Sequence, residues 1–211
     1  MRCSRNSDGK LFFVGAMAVV FSQKAWLLLD FVHAFISFRE RKRCMAFDPQ
    51  LQRQVMGRFA TGVAVVTTCV GEQYSGMTAN AVMSLSLDPP LVVVSVDKSA
   101  SMHGLLQEGQ CFAINVLRLD QEELSNRFAQ RGPKDFSDLS IKTAETGAPI
   151  LVDALAYLDC RLVEITAAGD HDMFIGECLS GETGDGAPLI FFGGRYGELT
   201  EESVQRASEA H

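Results

Sequence analysis

Past residue 44 this chain is short of positive charge, with 11 Lys and Arg set against 23 Asp and Glu. A broad nucleic-acid surface needs clustered cations to neutralise phosphates, so the acidic body argues against that class of partner. The motifs of the common enzyme classes are missing as well. There is no G-x-G-x-x-G after a strand, no Walker loop, no G-x-S-x-G elbow and no H-E-x-x-H. None of the six cysteines pairs at C-x-x-C spacing, which removes the usual zinc and dithiol sites. Neither an internal repeat nor a low-complexity linker stands out. Small-molecule chemistry on one folded body, large enough for a sizeable core, is what these absences leave.

Several of the cysteines, Cys3, Cys44, Cys69, Cys111, Cys160 and Cys178, fall in apolar runs such as Cys111-Phe112-Ala113-Ile114. They read as buried free thiols of a reduced, cytoplasmic compartment, with disulfides as the alternative. Residues 1–44 differ from the rest: they hold 8 Lys and Arg against 3 Asp and Glu, around the apolar stretches LFFVGAMAVVF and AWLLLDFVHAFISF. Lys24 and Asp30 interrupt the run of about 20 apolar residues that a spanning helix needs. A positive start and apolar middle suit a signal peptide, but no small-residue cleavage site follows. Three readings stay open: a membrane anchor, a signal peptide, and upstream sequence ahead of a true start at Met45. Asp48 before Pro49 suits a helix start, since Asp caps and proline at the first turn loses no needed N–H.

Leu51, Val55, Met56 and Phe59 recur at helical spacing, predicting an amphipathic helix over 49–60. β-branched and apolar runs predict strands at 62–68, 91–96, 111–117, 155–165, 173–179 and 188–192, with a turn at Gly71-Glu72. Short helices are expected at 101–107 and, capped by Asp120, at 121–130. Gly181 to Gly186 reads as a turn, because its acids would repel a phosphate. Strands outnumber helices without regular alternation, which predicts a mainly β fold, an antiparallel barrel closed or half-closed, rather than a doubly wound sheet. The expected division is an extension at 1–44, one domain at 45–200 and a tail at 201–211.

Six segments in order carry more than this. They are GVAVVTT; GMTANAVMSLSLDPPLVVVSVDKSASMHGLL; FAINVL with QEELSNRFA; GAPILVDALAYLDC; GDHDMFIGE; and PLIFFGGRYGEL. Together, over about Phe47 to Leu199, they resemble the flavin reductase-like, FMN-binding split-barrel family. The resemblance implies a Greek-key-like split β-barrel with short peripheral helices. It also implies a homodimer in which NADH or NADPH reduces FMN or FAD, often for a separate monooxygenase.

Site residues follow from that resemblance and from the chemistry of the side chains. Small Thr78, Ala79 and Ala81 would let backbone amides approach a flat ring edge, and Asn80 offers a donor and an acceptor there. Ser84, Ser95 and Asp97 belong to the same implied surface. Ser99 or Ser101 would open a helix facing the flavin phosphate, or simply cap it, with Lys98 adding charge and His103 in the first turn. His171, between Asp170 and Asp172, would have its charged form favoured and its orientation fixed by both acids. In the family the matching histidine lies on the nicotinamide side. Phe192, Arg195 and Tyr196 are candidates for the same side, and Arg131 and Lys134 for a dinucleotide tail. Where the family often has serine, Ala81 stands here, so one polar contact is expected to be missing. Hydride transfer between stacked rings needs proximity, orientation and exclusion of water, which accounts for the missing triad and metal site. A flavin-binding protein of this fold without nicotinamide activity is the alternative.

Overall fold

The computed structural model describes residues 47–209. The extension before Phe47, with Met45, Cys3 and Cys44, lies outside the described residues. The chain divides into two units, residues 1–52 and 53–211. In the first, Asp48 Oδ1 accepts the Gln50 N–H at 2.8 Å, the expected cap at the start of helix α1 (Pro49–Met56), whose last four residues fall in the second unit. That helix ends four residues before the expected boundary and buries none of its side chains. All that follows concerns the second unit.

Runs of Val and Thr whose stiff side chains suit a pleated surface become the central strands. They are β2 (Ala64–Val70), β3 (Gln73–Ala79), β4 (Val82–Leu87), β5 (Pro90–Asp97), β6 (Cys111–Val116), β9 (Ala156–Ala168) and β10 (His171–Thr183). They form one seven-stranded sheet in the order β3-β2-β6-β9-β10-β5-β4, every pairing antiparallel. Strands β1 (Thr61–Gly62), β11 (Ile190–Phe192) and β12 (Arg195–Gly197) make a second sheet, and β7 (Ile141–Lys142) with β8 (Ile150–Leu151) a third. The helices are α2 (Ser101–Gly109), α3 (Glu122–Ala129) and α4 (Glu201–Ser208). The last is a helix where only a tail was expected, capped by the Thr200 side chain on the Ser203 N–H.

One consequence of the strand order explains the small-residue stretch. Strands β3 and β4 are the opposite edges of the seven-stranded sheet, yet only Asn80 and Ala81 separate them in the chain. The sheet must therefore curl until its edges meet at those two residues. The edges are not paired with each other, so the barrel stays split beyond that point. Ala81 O accepts the Ser95 N–H at 3.0 Å, which ties the junction to β5.

Curvature is helped by register shifts in β10 against β9, between Ile175 and Gly176 and between Cys178 and Ser180. A Cβ on Gly176 would lie 2.4 Å from Phe112 Cζ, so the strand backbone rests directly on that buried ring. One face of the sheet packs Val66, Val94, Phe112 and Phe174 with Met102 and Leu106 of α2. The other face packs Val65 with Leu117, Phe128 and Leu189. Burial on both faces accounts for continuous apolar runs in place of alternation.

Other expectations shift at their edges. Asp120 does not cap α3: it sits in a 3-10 turn, Leu119–Gln121, and pairs with Arg118 at 3.4 Å. Gly181 to Thr183 continues β10, so the expected turn shrinks to the residues after it. Cys69, Cys111, Cys160 and Cys178 are free thiols, and burial pushes the Cys69 thiol up to about 11.

Candidate functional site

A cavity of about 360 Å³ opens where three distant segments converge. Strand β3 supplies Gly76, Met77 and Thr78; the turn from β5 into α2 supplies Asp97, Ser99, Ala100, Ser101 and Met102; the segment leaving α3 supplies Phe128 to Gly132 and Lys134. Gly76 is required by packing, because a Cβ there would come within 2.7 Å of the Phe128 ring.

The β5–α2 turn is held by its own bonds. Asp97 Oδ1 accepts the Ser99 N–H at 2.7 Å, and Asp97 O accepts the Ala100 N–H at 2.9 Å. The Ser99 N–H holds the Asp97 carboxyl below the ordinary carboxylate range. Ala100, not a serine, is the N-cap of α2, and no side chain caps it. Both serines therefore line the cavity at the positive end of the helix. Opposite them, Arg131 and Lys134 bring positive charge, and burial lowers the Lys134 ammonium from its usual pKa. The Lys134 ammonium donates to Gln130 O. The loop that carries both cations is braced by Arg127, whose two Nη atoms meet the Asp138 carboxylate at 2.7 and 2.8 Å.

Thr78 lines the cavity, but its hydroxyl donates to Ser125 O at 2.6 Å, so that proton is already engaged within the protein. The buried Ser125 hydroxyl in turn lies 2.9 Å from the Tyr196 hydroxyl, which links β3, α3 and β12.

His171 opens β10 directly after the two-residue turn Gly169-Asp170, in which Gly169 takes φ +72°. It stands opposite Asp97 in the β10–β5 register, which sets it beside the cavity's turn without lining the cavity. Its Nδ1 lies 2.8 Å from Asp170 Oδ1. Asp172 does not join it. Successive strand residues face opposite ways, and Asp172 turns inward to His103 and Lys98. Lys98 Nζ and His103 Nε2, expected beside the flavin phosphate, meet Asp172 here, and neither residue lines the cavity.

The remaining expected residues are spread more widely. Ala79 is buried against β2, Asn80 and Ala81 are the exposed junction of the two sheet edges, and Ser84 is exposed on β4. Ser95 lies mid-strand opposite Met173. Phe192 and Arg195 flank the Gly193-Gly194 turn, and neither they nor Tyr196 line the cavity. Met77, Met102, Phe128, Ala129 and Gln130 were not singled out from the sequence, although Phe128 belongs to the QEELSNRFA segment. Among the described residues, no group of three His, Cys, Asp or Glu side chains is placed to hold a metal ion, and no helix is long and apolar enough to cross a membrane.

Residues 56–200, which carry this cavity and the sheet beside it, match the flavin reductase like domain. The chain belongs to that family. Its relatives include an FMN reductase (NADH) of Agrobacterium fabrum, 40% identical over 170 residues, which are 81% of this chain and 93% of that protein. The reductase component of a 4-nitrophenol 4-monooxygenase/4-nitrocatechol 2-monooxygenase of Rhodococcus opacus is 37% identical over 70% of this chain and 79% of its own length. Among solved structures, a Streptomyces globisporus NADH:FAD oxidoreductase in complex with NAD and FAD fragments superposes with a TM-score of 0.70. It is 35% identical, over 75% of this chain and 99% of that one. Members of the family share the split-barrel fold seen here.

Proposed function

We propose that this chain is an NAD(P)H-dependent flavin reductase that takes FMN or FAD and supplies the reduced flavin to a partner monooxygenase. The observation that carries the reading is the cavity itself. Met77, Met102 and Phe128 offer an apolar wall, while Ser99, Ser101, the α2 N-terminus, Arg131 and Lys134 offer a site for an anion. That donor set suits the flat, apolar ring and the phosphate of a flavin nucleotide. A bound flavin supplies the acceptor for the hydride of a nicotinamide. The protein's part is to hold the phosphate end with Arg131, Lys134 and the serines, and to let the backbone of Gly76 to Thr78, which lines the cavity, approach the ring. His171 faces the incoming nicotinamide and orients it; Phe192, Arg195 and Tyr196 border the route to it. No general acid or base is required when two rings are stacked and shielded from water.

The working form is a homodimer in the cytoplasm. Support for pairing comes from apolar side chains exposed in the single chain, Met56 at 59%, Phe59 at 68% and Leu87 at 88%, and from the unpaired edge of β4. Free thiols at four cysteines support a reducing compartment.

The test is steady-state oxidation of NADH and NADPH by the purified full-length chain with riboflavin, FMN and FAD. Flavin-dependent oxidation is the expected result. Tight flavin retention with no nicotinamide oxidation would instead establish a flavin-binding protein of the same fold.

A further inference from the structure

Lys98, His103 and Asp172 form a charged cluster one residue from His171, on the opposite side of β10. Asp172 is only 8% exposed. Its Oδ2 lies 2.7 Å from His103 Nε2 and its Oδ1 3.2 Å from Lys98 Nζ. Lys98 reaches further: its Nζ donates to Gly169 O at 2.7 Å, and its backbone N–H to Asp170 O at 3.1 Å. The His103 ring stands edge-on to Phe174, at 5.2 Å and 85°, with Nε2 aimed at the carboxylate. Hydrogen bonding from His103 and, to a lesser degree, the charge of Lys98 hold the Asp172 carboxyl below its ordinary range.

Taking a carboxylate out of water is costly, and pairing it seldom stabilises more than an apolar side chain of the same size would. What a charged cluster provides is direction. Here its bonds run from α2 and the β5–α2 turn to the two residues before His171 and the one after it. The dependence is one-sided. Asp97 holds the cavity turn through Ser99 and Ala100, and Met102 and Leu106 anchor α2 in the core. The Gly169-Asp170 tip is exposed, and its bonds into the body run to Lys98.

We infer that Asp172, held by Lys98 and His103, is a positioning residue that sets the His171 hairpin against the Asp97–Ser101 turn and thereby fixes how a nicotinamide meets the flavin. This rests on the reading of His171 as the nicotinamide-side residue. Asp172 acts through His171 and touches neither ligand. Its loss therefore weakens productive NADH binding while flavin binding, which depends on the self-supported turn, is retained.

The experiment is a double-mutant cycle on the full-length chain, with Asp172→Ala, His171→Ala and the pair. NADH is varied at saturating FMN, and FMN affinity is measured separately by fluorescence quenching. Asp172→Ala is expected to raise KM for NADH about fivefold, with kcat and FMN affinity within about twofold of the parent. In the His171→Ala background the same change should add less than about 1.5-fold, because the residue it positions is gone. Asp172→Asn, which keeps an acceptor for His103, should recover part of the effect. Equal fold-changes in both backgrounds, or a matching loss of FMN affinity, would show a structural role only and overturn the inference. If Asp172→Ala does not fold, Asp172→Asn and His103→Gln carry the same cycle. A silent Asp172→Ala beside an impaired His171→Ala sinks the positioning role alone; a silent His171→Ala sinks the reading of His171 and the inference with it.

Discussion

Asn115 and Asp172 are both polar side chains largely withdrawn from water, and their surroundings differ in kind. Asn115, wholly buried in β6, donates from Nδ2 to Val65 O at 3.1 Å and to Thr67 Oγ1 at 3.2 Å, and its Oδ1 accepts the Leu151 N–H at 2.8 Å. Thr67 continues the network by donating to Pro149 O at 2.5 Å. The group is neutral, short and bonded mostly to backbone, and it joins β2, β6 and β8. Asp172 lies at the rim of the barrel, beside the Lys98 ammonium and in hydrogen-bond contact with the His103 ring. A satisfied amide in a dry interior fixes which strands meet. A charged cluster near water holds one hairpin tip and leaves the barrel's register alone.

That contrast can be broken by stability measurements. The largest loss is expected for Asn115→Leu, which strands the Leu151 N–H and the polar atoms around it in the core. About 3 kcal/mol should disappear from the unfolding free energy measured in denaturant. A loss below about 1 kcal/mol would mean that water or a shifted backbone replaces the network. Gly176→Ala comes next, because its new Cβ meets the Phe112 ring and β10 must move, at a cost of about 2 kcal/mol in the same assay. A wild-type-like midpoint would show that the ring has room to retreat.

A smaller effect is expected from acid. Hydrogen bonds hold the carboxyls of Asp97, Asp170 and Asp172 below the ordinary range, from the Ser99 N–H, His171 and His103 respectively. A depressed folded pKa adds stability above the unfolded value of about 3.9, and that stability is lost as pH falls through the folded value. Thermal midpoints should therefore be flat from pH 5 upward on account of these groups and fall below about pH 4. Asp172→Asn should flatten that fall; an unchanged acid slope would remove Asp172 from the account. His171→Ala should change stability least, by about 0.5 kcal/mol or less, since the side chain is half-exposed and bonds only to exposed Asp170. The expected effect is on NADH oxidation, read as a raised KM, and a large stability loss would erase the division between the two regions.

Much of the barrel was legible in the chain. Valine-rich β2 and β5, the apolar run of β6 and the turn at Gly71-Glu72 announce themselves through local residue chemistry. The small residues from Thr78 to Ala81 were legible as room for a flat ring edge, but their place in the sheet was not. They sit where the two edges of the sheet meet, and strand order cannot be read from one strand. The site was legible by segment and less so by side chain. Ser99 and Ser101 line the cavity, and Arg131 and Lys134 reach it from the far side. For Lys98 and His103 the sequence did not show Asp172 as a neighbour, because that carboxylate lies 69 to 74 positions away. Asp170 and Asp172 look equivalent on either side of His171 until the pleat of β10 sends one outward and the other in.

By itself, then, the sequence determined the elements and the chemistry available: β-branched runs that must pair, a helix start among serines, two cations after α3, and a histidine behind a glycine turn. These are set by neighbours along the chain, where propensity and spacing act. Which of them share a cavity, and which are spent holding it, depends on long-range packing. Thr78, Ser99 and Arg131 share one cavity through strand β3, the β5–α2 turn and the segment leaving α3, and the inward turn of Asp172 follows from a strand register set by residues far away in the chain.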